Sequence, residues 1–210
     1  MADEYKTRDG VTMIEGLEAV RRRPEAYIGP EPNERTGSTR LLELVVGGLA
    51  KDTPKPTEMR ITVFNNAVVV GVDGKPFPVE PYTKGTTDLP HPALYAFFMT
   101  LIAGGEGLGR TLVFGGVLNA LSERLVVSTM HGDLRYRAVF SRGNIVMLLS
   151  KNRYATPLGT TWLTYRRDST KVLGPSLTLI EAQAVAQRVM QTSGIRVNVY
   201  DRVNDEPDWY

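Results

Sequence analysis

The sequence contains no cysteine, which excludes disulfides and thiolate metal sites. No apolar run reaches the roughly 18 residues that a membrane-crossing helix needs. The opening Met1-Ala2-Asp3-Glu4-Tyr5-Lys6 is not a secretory signal, so a cytoplasmic protein with no membrane partner is expected. Excess charge is scarce as well. The 25 Lys and Arg against 23 Asp and Glu leave a formal +2, too little for a strong electrostatic case for nucleic acid. Internal repeats and low-complexity tracts are absent. What is present is an ordinary globular composition, 42% hydrophobic and 23% charged over 210 residues, enough to bury a full core as one domain.

Apolar periodicity predicts helices near residues 13 to 23, 38 to 51, 92 to 103, 112 to 122 and 178 to 192. Strand patterns lie near 58 to 64, 67 to 72, 124 to 130, 134 to 141, 144 to 150, 159 to 165 and 195 to 200. Asn65-Asn66 reads as a tight hairpin with asparagine at positive φ. His131-Gly132-Asp133 and Arg142-Gly143-Asn144 read as two more. Hairpin strands in runs, with helices between them, indicate an α+β fold: helices on one face of a mostly antiparallel sheet.

The stretch from Gly16 to Gly29 reads Gly-Leu-Glu-Ala-Val-Arg-Arg-Arg-Pro-Glu-Ala-Tyr-Ile-Gly. On its own it is a basic amphipathic helix that Pro24 stops, since proline offers no amide hydrogen and restricts Arg23. Four further pieces follow in order: Gly104-Gly105, Asn119-Ala120-Leu121-Ser122, Gly159-Thr160-Thr161 and Gly194-Ile195-Arg196-Val197. Together they resemble the GHKL ATPases, in the form found in DNA gyrase B and its topoisomerase IV counterpart. The resemblance implies a two-layer α/β sandwich with ATP held between helices and sheet. It implies an N-terminal arm over 1–13, the ATPase-like domain over 14–200 and a tail over 201–210. The transducer and DNA-cleavage domains that follow in the full family protein have no counterpart in these residues, so topoisomerase activity is not expected from them alone.

The same resemblance assigns roles to individual positions. The family carries a Glu general base on its second helix and, one turn later, an Asn that holds magnesium. With one deletion after Thr36-Gly37, Glu43 falls on the base and Gly47 on the Asn, so the metal loses its ligand. Glu43 also reads as an ordinary solvent-facing residue. Gly47 and Gly48 weaken the helix by about 1 kcal/mol each, so its end is expected to be frayed or closely packed. In the family's Asp-Asn-Gly-Arg-Gly-Ile-Pro motif the first Asp binds adenine. Alignment on Pro78 puts Val72 there, a further deletion restores Asp73, and Asp73-Gly74 reads equally as a turn after a strand. Lys51 and Lys75 replace an ion pair that the family makes across its pocket. His131 replaces an Arg and reads as a plain surface turn residue. The phosphate-wrapping Gly-Gly-Leu-His-Gly-Val-Gly loop corresponds to 108–114, with Leu112 and Phe114 in place of glycines. Thr160 matches a Thr at the adenine-bound water and is also a good strand residue.

Core motifs kept without chemical ones point to a catalytically silent relative that binds protein, either itself as a homodimer or gyrase and topoisomerase IV subunits, with no cofactor. The family's arm packs on the neighbouring protomer, which makes Tyr5, Val11 and Met13 interaction candidates here; a loose terminus is the other reading. A second hypothesis keeps ATP with magnesium as cofactor and slow hydrolysis with Glu43 as base, at a vestigial site of Asp73, Gly74, Gly104, Gly105 and Thr160. A third, nucleic-acid binding through Arg21, Arg22, Arg23, Arg166 and Arg167, rests on charge runs that are usually solvated faces.

Overall fold

A computed structural model of the chain describes residues 5–6, 12–13, 16–29, 36–80, 92–101, 113–153 and 159–209. Two short strands, β1 (Tyr5–Lys6) and β2 (Thr12–Met13), pair with each other. Helices α1 (Leu17–Arg22) and α2 (Glu25–Ile28) precede α3 (Gly37–Leu49). Then come β3 (Glu58–Val63), β4 (Val68–Val72), α4 (Ala93–Met99) and α5 (Val113–Ala120). The meander β5 (Ser122–His131), β6 (Leu134–Ser141) and β7 (Asn144–Arg153) is followed by β8 (Thr161–Arg167), α6 (Leu179–Ser193) and β9 (Arg196–Asp201).

Seven strands form one sheet in the order β7-β6-β5-β8-β4-β3-β9. Every pairing in it is antiparallel except that of β3 with β9, which the crossover helix α6 makes parallel. Alternate side chains of the strands point to opposite faces. Ile61, Val70, Val127, Phe140 and Leu163 enter the main core with Leu41, Leu42, Val45, Phe98, Leu118 and Val185 from the helices. This is the expected α+β sandwich. Among the described residues no helix is long and apolar enough to cross a membrane.

Local chemistry explains the boundaries. Thr36 caps α3 by accepting from Thr39 N at 3.2 Å, and Thr178 with Glu181 forms a reciprocal capping box on α6, which Gly194 ends in the left-handed region. The helix anticipated over 13 to 23 is shorter, because Met13 belongs to the β1–β2 ladder. Pro24 both ends α1 and sits at the N-cap of α2, where its missing amide hydrogen costs nothing. Asn65-Asn66 does join β3 to β4 as a tight hairpin, with Phe64 N donating to Ala67 O at 2.9 Å, but the positive φ expected of its asparagines is not found, since Arg142 is the one non-glycine residue at positive φ among the described residues. Arg142 and Gly143 take that conformation together, as a two-residue hairpin with the twist of its strands requires.

The other face of the sheet is covered in part by the segment that follows β9. Trp209 is buried with Ala67, Val126 and Val139. Its ring lies near the Arg124 and Arg166 guanidiniums, each 5.3 Å from the ring centroid. Its carbonyl accepts from Arg124 Nη2 at 3.2 Å and from Arg137.

Candidate functional site

The family-like residues fall into two groups. The first holds α1 and α5 to β8. Arg21 Nη1 donates to Ala120 O at the C-terminus of α5 (2.7 Å), and its Nη2 pairs with Asp168 Oδ2 at 3.0 Å. Asp168 also accepts from Arg142 Nε at 3.2 Å and from the Thr170 amide and hydroxyl at 3.1 and 2.6 Å. Its side chain is 2% exposed. Burial disfavours its charge, but the Thr170 and Arg21 contacts prevail and hold its pKa down to about 2. Asn119 is fully buried; its Nδ2 donates to Phe98 O at 2.7 Å and its Oδ1 accepts from Gly143 N at 3.1 Å. The Gly-Leu-Glu-Ala-Val-Arg and Asn-Ala-Leu-Ser segments are thus fastened to one another through polar contacts.

The second group lies along the less buried face of α3, which carries Glu43, Leu44, Gly47 and Gly48. Glu43 is ion-paired to Arg188 of α6, so its carboxylate faces a guanidinium across the α3–α6 interface. Gly47 borders open space: a Cβ there would meet no atom within 4 Å. Gly48 is the opposite case. A Cβ there would lie 2.0 Å from Cδ1 of Phe114, so the α3 backbone and the Phe114 ring are in direct contact and only glycine allows it. Phe114 lies in α5 and is buried at 3% exposure. The glycines are therefore closely packed on one side and open on the other.

Around the strand ends, Val72 is buried in the main core. Asp73 Oδ1 accepts from the Thr57 and Glu58 amides at 2.9 and 3.0 Å, and Oδ2 engages the Thr57 hydroxyl. Burial raises its pKa, but these bonds outweigh that and lower it. Asp73-Gly74 is thus the turn after β4, its carboxylate spent on the start of β3. Gly159 has φ +106° and passes so close to Val72 that a Cβ would lie 2.5 Å from its carbonyl oxygen. Thr160 N donates to Val72 O at 2.9 Å, and its hydroxyl is directed at the Val72 and Gly74 carbonyls. His131 is not a plain turn residue: its Nε2 donates to Phe77 O at 2.8 Å. Phe77 N in turn donates to Thr129 Oγ1 at 2.8 Å, so His131 and Thr129 pin the segment after the turn across β5. Nothing in the sequence linked these residues, because the contacts span about fifty positions.

Lys51 and Lys75 are both exposed. Tyr5 and Met13 are register partners in the β1–β2 ladder. Val11, Gly104, Gly105 and Leu112 lie outside the described residues, and of Val113 only its place in α5 is described. The structure brings Glu43, Gly47, Gly48 and Phe114 together, and separately Val72, Asp73, Gly74 and Thr160. Sequence reasoning missed Arg188 as the partner of Glu43 and Gly48 as the seat of Phe114. An Arg beside the buried Val185 and Val189 on α6 was the available signal for the first.

No protein-family model matches the chain. Relatives do. The DNA gyrase B protein of Streptococcus pyogenes is 34% identical over 163 residues, 72% of this chain and 24% of that protein. The type 2 topoisomerase B protein of Aquifex aeolicus is 31% identical over 154 residues, 68% of this chain and 19% of that protein. The DNA topoisomerase 4 B protein of Caulobacter vibrioides is 32% identical over 156 residues, 67% of this chain and 21% of that protein. The chain thus spans a quarter or less of the curated relatives it matches. A crystal structure of the 43K ATPase domain of Thermus thermophilus gyrase B, in complex with an aminocoumarin, superposes with a TM-score of 0.71 at 25% identity, over 90% of this chain and 50% of that one. With the sheet order and helical layer described above, these matches make the chain a GHKL domain of the gyrase B type.

Proposed function

We propose that this domain no longer hydrolyses ATP and acts through contacts with protein. The observation that carries the reading is the Phe114 ring on Gly48. Phe114 stands at a position that the resemblance gives to a glycine of the phosphate-wrapping loop, and a buried phenyl ring there takes space that a phosphate needs. Three supporting facts agree. The Val72 side chain, at the position that the resemblance gives to the adenine carboxylate, offers no acceptor. Asp73 and Thr160 direct their oxygens at neighbouring backbone. Glu43 is tied to Arg188, whereas a general base must reach the attacking water.

Titration calorimetry of the protein with ATP and magnesium tests this: no saturable heat is expected, and a dissociation constant tighter than ~100 μM, about −5.5 kcal/mol, would overturn it. The open space beside Gly47 favours the second reading, residual ATP binding with Glu43 as base, and the same titration separates the two. The partner we assign is a second copy of this chain or a type 2 topoisomerase subunit, met through the arm that pairs Tyr5 with Met13. Removal of residues 2–13 is expected to abolish co-purification of that partner.

A further inference from the structure

A cleft separate from the α3 glycine face opens between α1, α2, the first turn of α3 and the turn after β8, with a volume of about 290 Å³. Among the described residues its walls carry Arg21, Arg22, Arg40 and Lys171 against the carboxylate of Glu25. Arg40 is nine-tenths buried, at 8% exposure. One nitrogen of its guanidinium, Nη1, donates to the Ile28 and Gly29 carbonyls, and the group makes no ion pair with any described residue. The half-buried Lys171 ammonium has no hydrogen-bond or ion-pair partner among the described residues. A buried cation without a counter-charge is costly, so Arg40, with the half-buried Lys171 on the same cleft, points to an anion.

The helix end beside them is equally unsatisfied. Of the first amides of α3, that of Thr39 goes to the Thr36 hydroxyl and that of Arg40 to the Thr36 carbonyl. Those of Gly37 and Ser38 meet no acceptor among the described residues. Gly37 lines the cleft, and a Cβ on it would lie 2.8 Å from Val172 Cγ1, so the turn that carries Lys171 is packed on this helix end. Nearby carboxylates are committed elsewhere. Glu181 is taken by the Thr36, Thr39 and Thr178 hydroxyls, and Asp168 by Arg21, Arg142 and Thr170. Among the described residues Arg22 pairs only with the exposed Glu18, a weak pair.

We propose that this cleft binds a compact phosphorylated small molecule. Its phosphate lies against Arg40, Lys171 and the first turn of α3, and its body against Ile28, Val172 and Leu173. A guanidinium, an ammonium and free helix N-terminal amides are the donor set that phosphate takes and a lone carboxylate does not fill.

The test is a titration of the 210-residue chain with inorganic pyrophosphate in ~0.15 M salt, read by calorimetry and amide NMR shifts. Saturable binding tighter than about 1 mM is expected, with shifts at Gly37 and Ser38. Lys171→Gln, which disturbs no contact of the fold, is expected to weaken it about tenfold, and Arg40→Gln at least as much. Absence of saturation by about 10 mM would overturn the proposal, as would binding that Lys171→Gln leaves unchanged, which would place the pyrophosphate elsewhere. Binding seen only after Glu31→Gln and Glu34→Gln would also overturn it, since the chain's own carboxylates would then fill the cleft.

Discussion

The lock at Asp168 and the glycine face of α3 are built from segments that carry the same family resemblance, yet they are kept differently. At the lock, Arg21, Asn119 and Asp168 hold backbone and side chains from four elements in polar contacts that leave no partner out. On the α3 face and at the end of β4, the residues to which the resemblance gives nucleotide roles are either apolar or engaged with their own chain: Phe114 on Gly48, Val72 in the core, Asp73 on Thr57 and Glu58, Glu43 on Arg188. A fold survives the second kind of change and not the first, because removing a buried charge's partner destabilises by several kcal/mol while filling a ligand cleft adds apolar contact. The proposed reading, a domain kept for its surface rather than its chemistry, expects that contrast.

The largest effect should come from breaking the lock. Asp168→Ala leaves Arg21 without its counter-charge and is expected to cost about 3–4 kcal/mol in urea unfolding. Because the folded pKa of Asp168 is depressed to about 2 from 3.8, its contribution is complete above the unfolded value. It is lost as pH falls from about 4 towards 2, a share of about 2 kcal/mol. Unfolding midpoints of wild type and Asp168→Asn measured across that range should converge at the acid end. Phe114→Ala should cost about 3 kcal/mol if the ring is core rather than a loose plug. In that background Gly48→Ala should change sign, from destabilising by overpacking to stabilising by up to about 1 kcal/mol. If Gly48→Ala is harmless in the wild type, the ring is not where it has been placed. Asn119→Ala removes the side-chain donor of the Phe98 carbonyl and one of the two acceptors of the Gly143 amide, which keeps the backbone carbonyl of residue 119, and should cost about 1–2 kcal/mol.

Much of the scaffold was legible. Thr36 and the Thr178/Glu181 pair announce their helices, Gly194 the end of the last one, and alternating Val and Ile the strands, since these are local signals with fixed geometry. The strand that begins at Tyr5 was not, being two residues long and dependent on Thr12–Met13. Trp209 falls in what the sequence presents as a tail; its contacts with Arg124 and Arg166 join positions far apart along the chain. The site was half legible. Counting from Asn119 sets Leu112 and Phe114 at positions that the resemblance gives to glycines, but that Phe114 lands on Gly48 depends on how α5 crosses α3. His131 illustrates the other limit: its bond to Phe77 exists only because the segment after Asp73 lies across β5.

The smallest effect on stability, within about 0.5 kcal/mol, is expected from Gly47→Asn, whose side chain would enter open space on an exposed helix face. That variant also supplies the most direct test of the account, because it restores the metal ligand that the resemblance calls for and nothing else. Magnesium-dependent ATP turnover by the Gly47→Asn protein should stay at the background of the wild type, since a metal ligand and its phosphate cradle act as a unit and, on the proposed reading, Phe114 takes the place of that cradle. Turnover that rises above that background and is abolished by adding Glu43→Ala would show the pocket still shaped for ATP, and would contradict it.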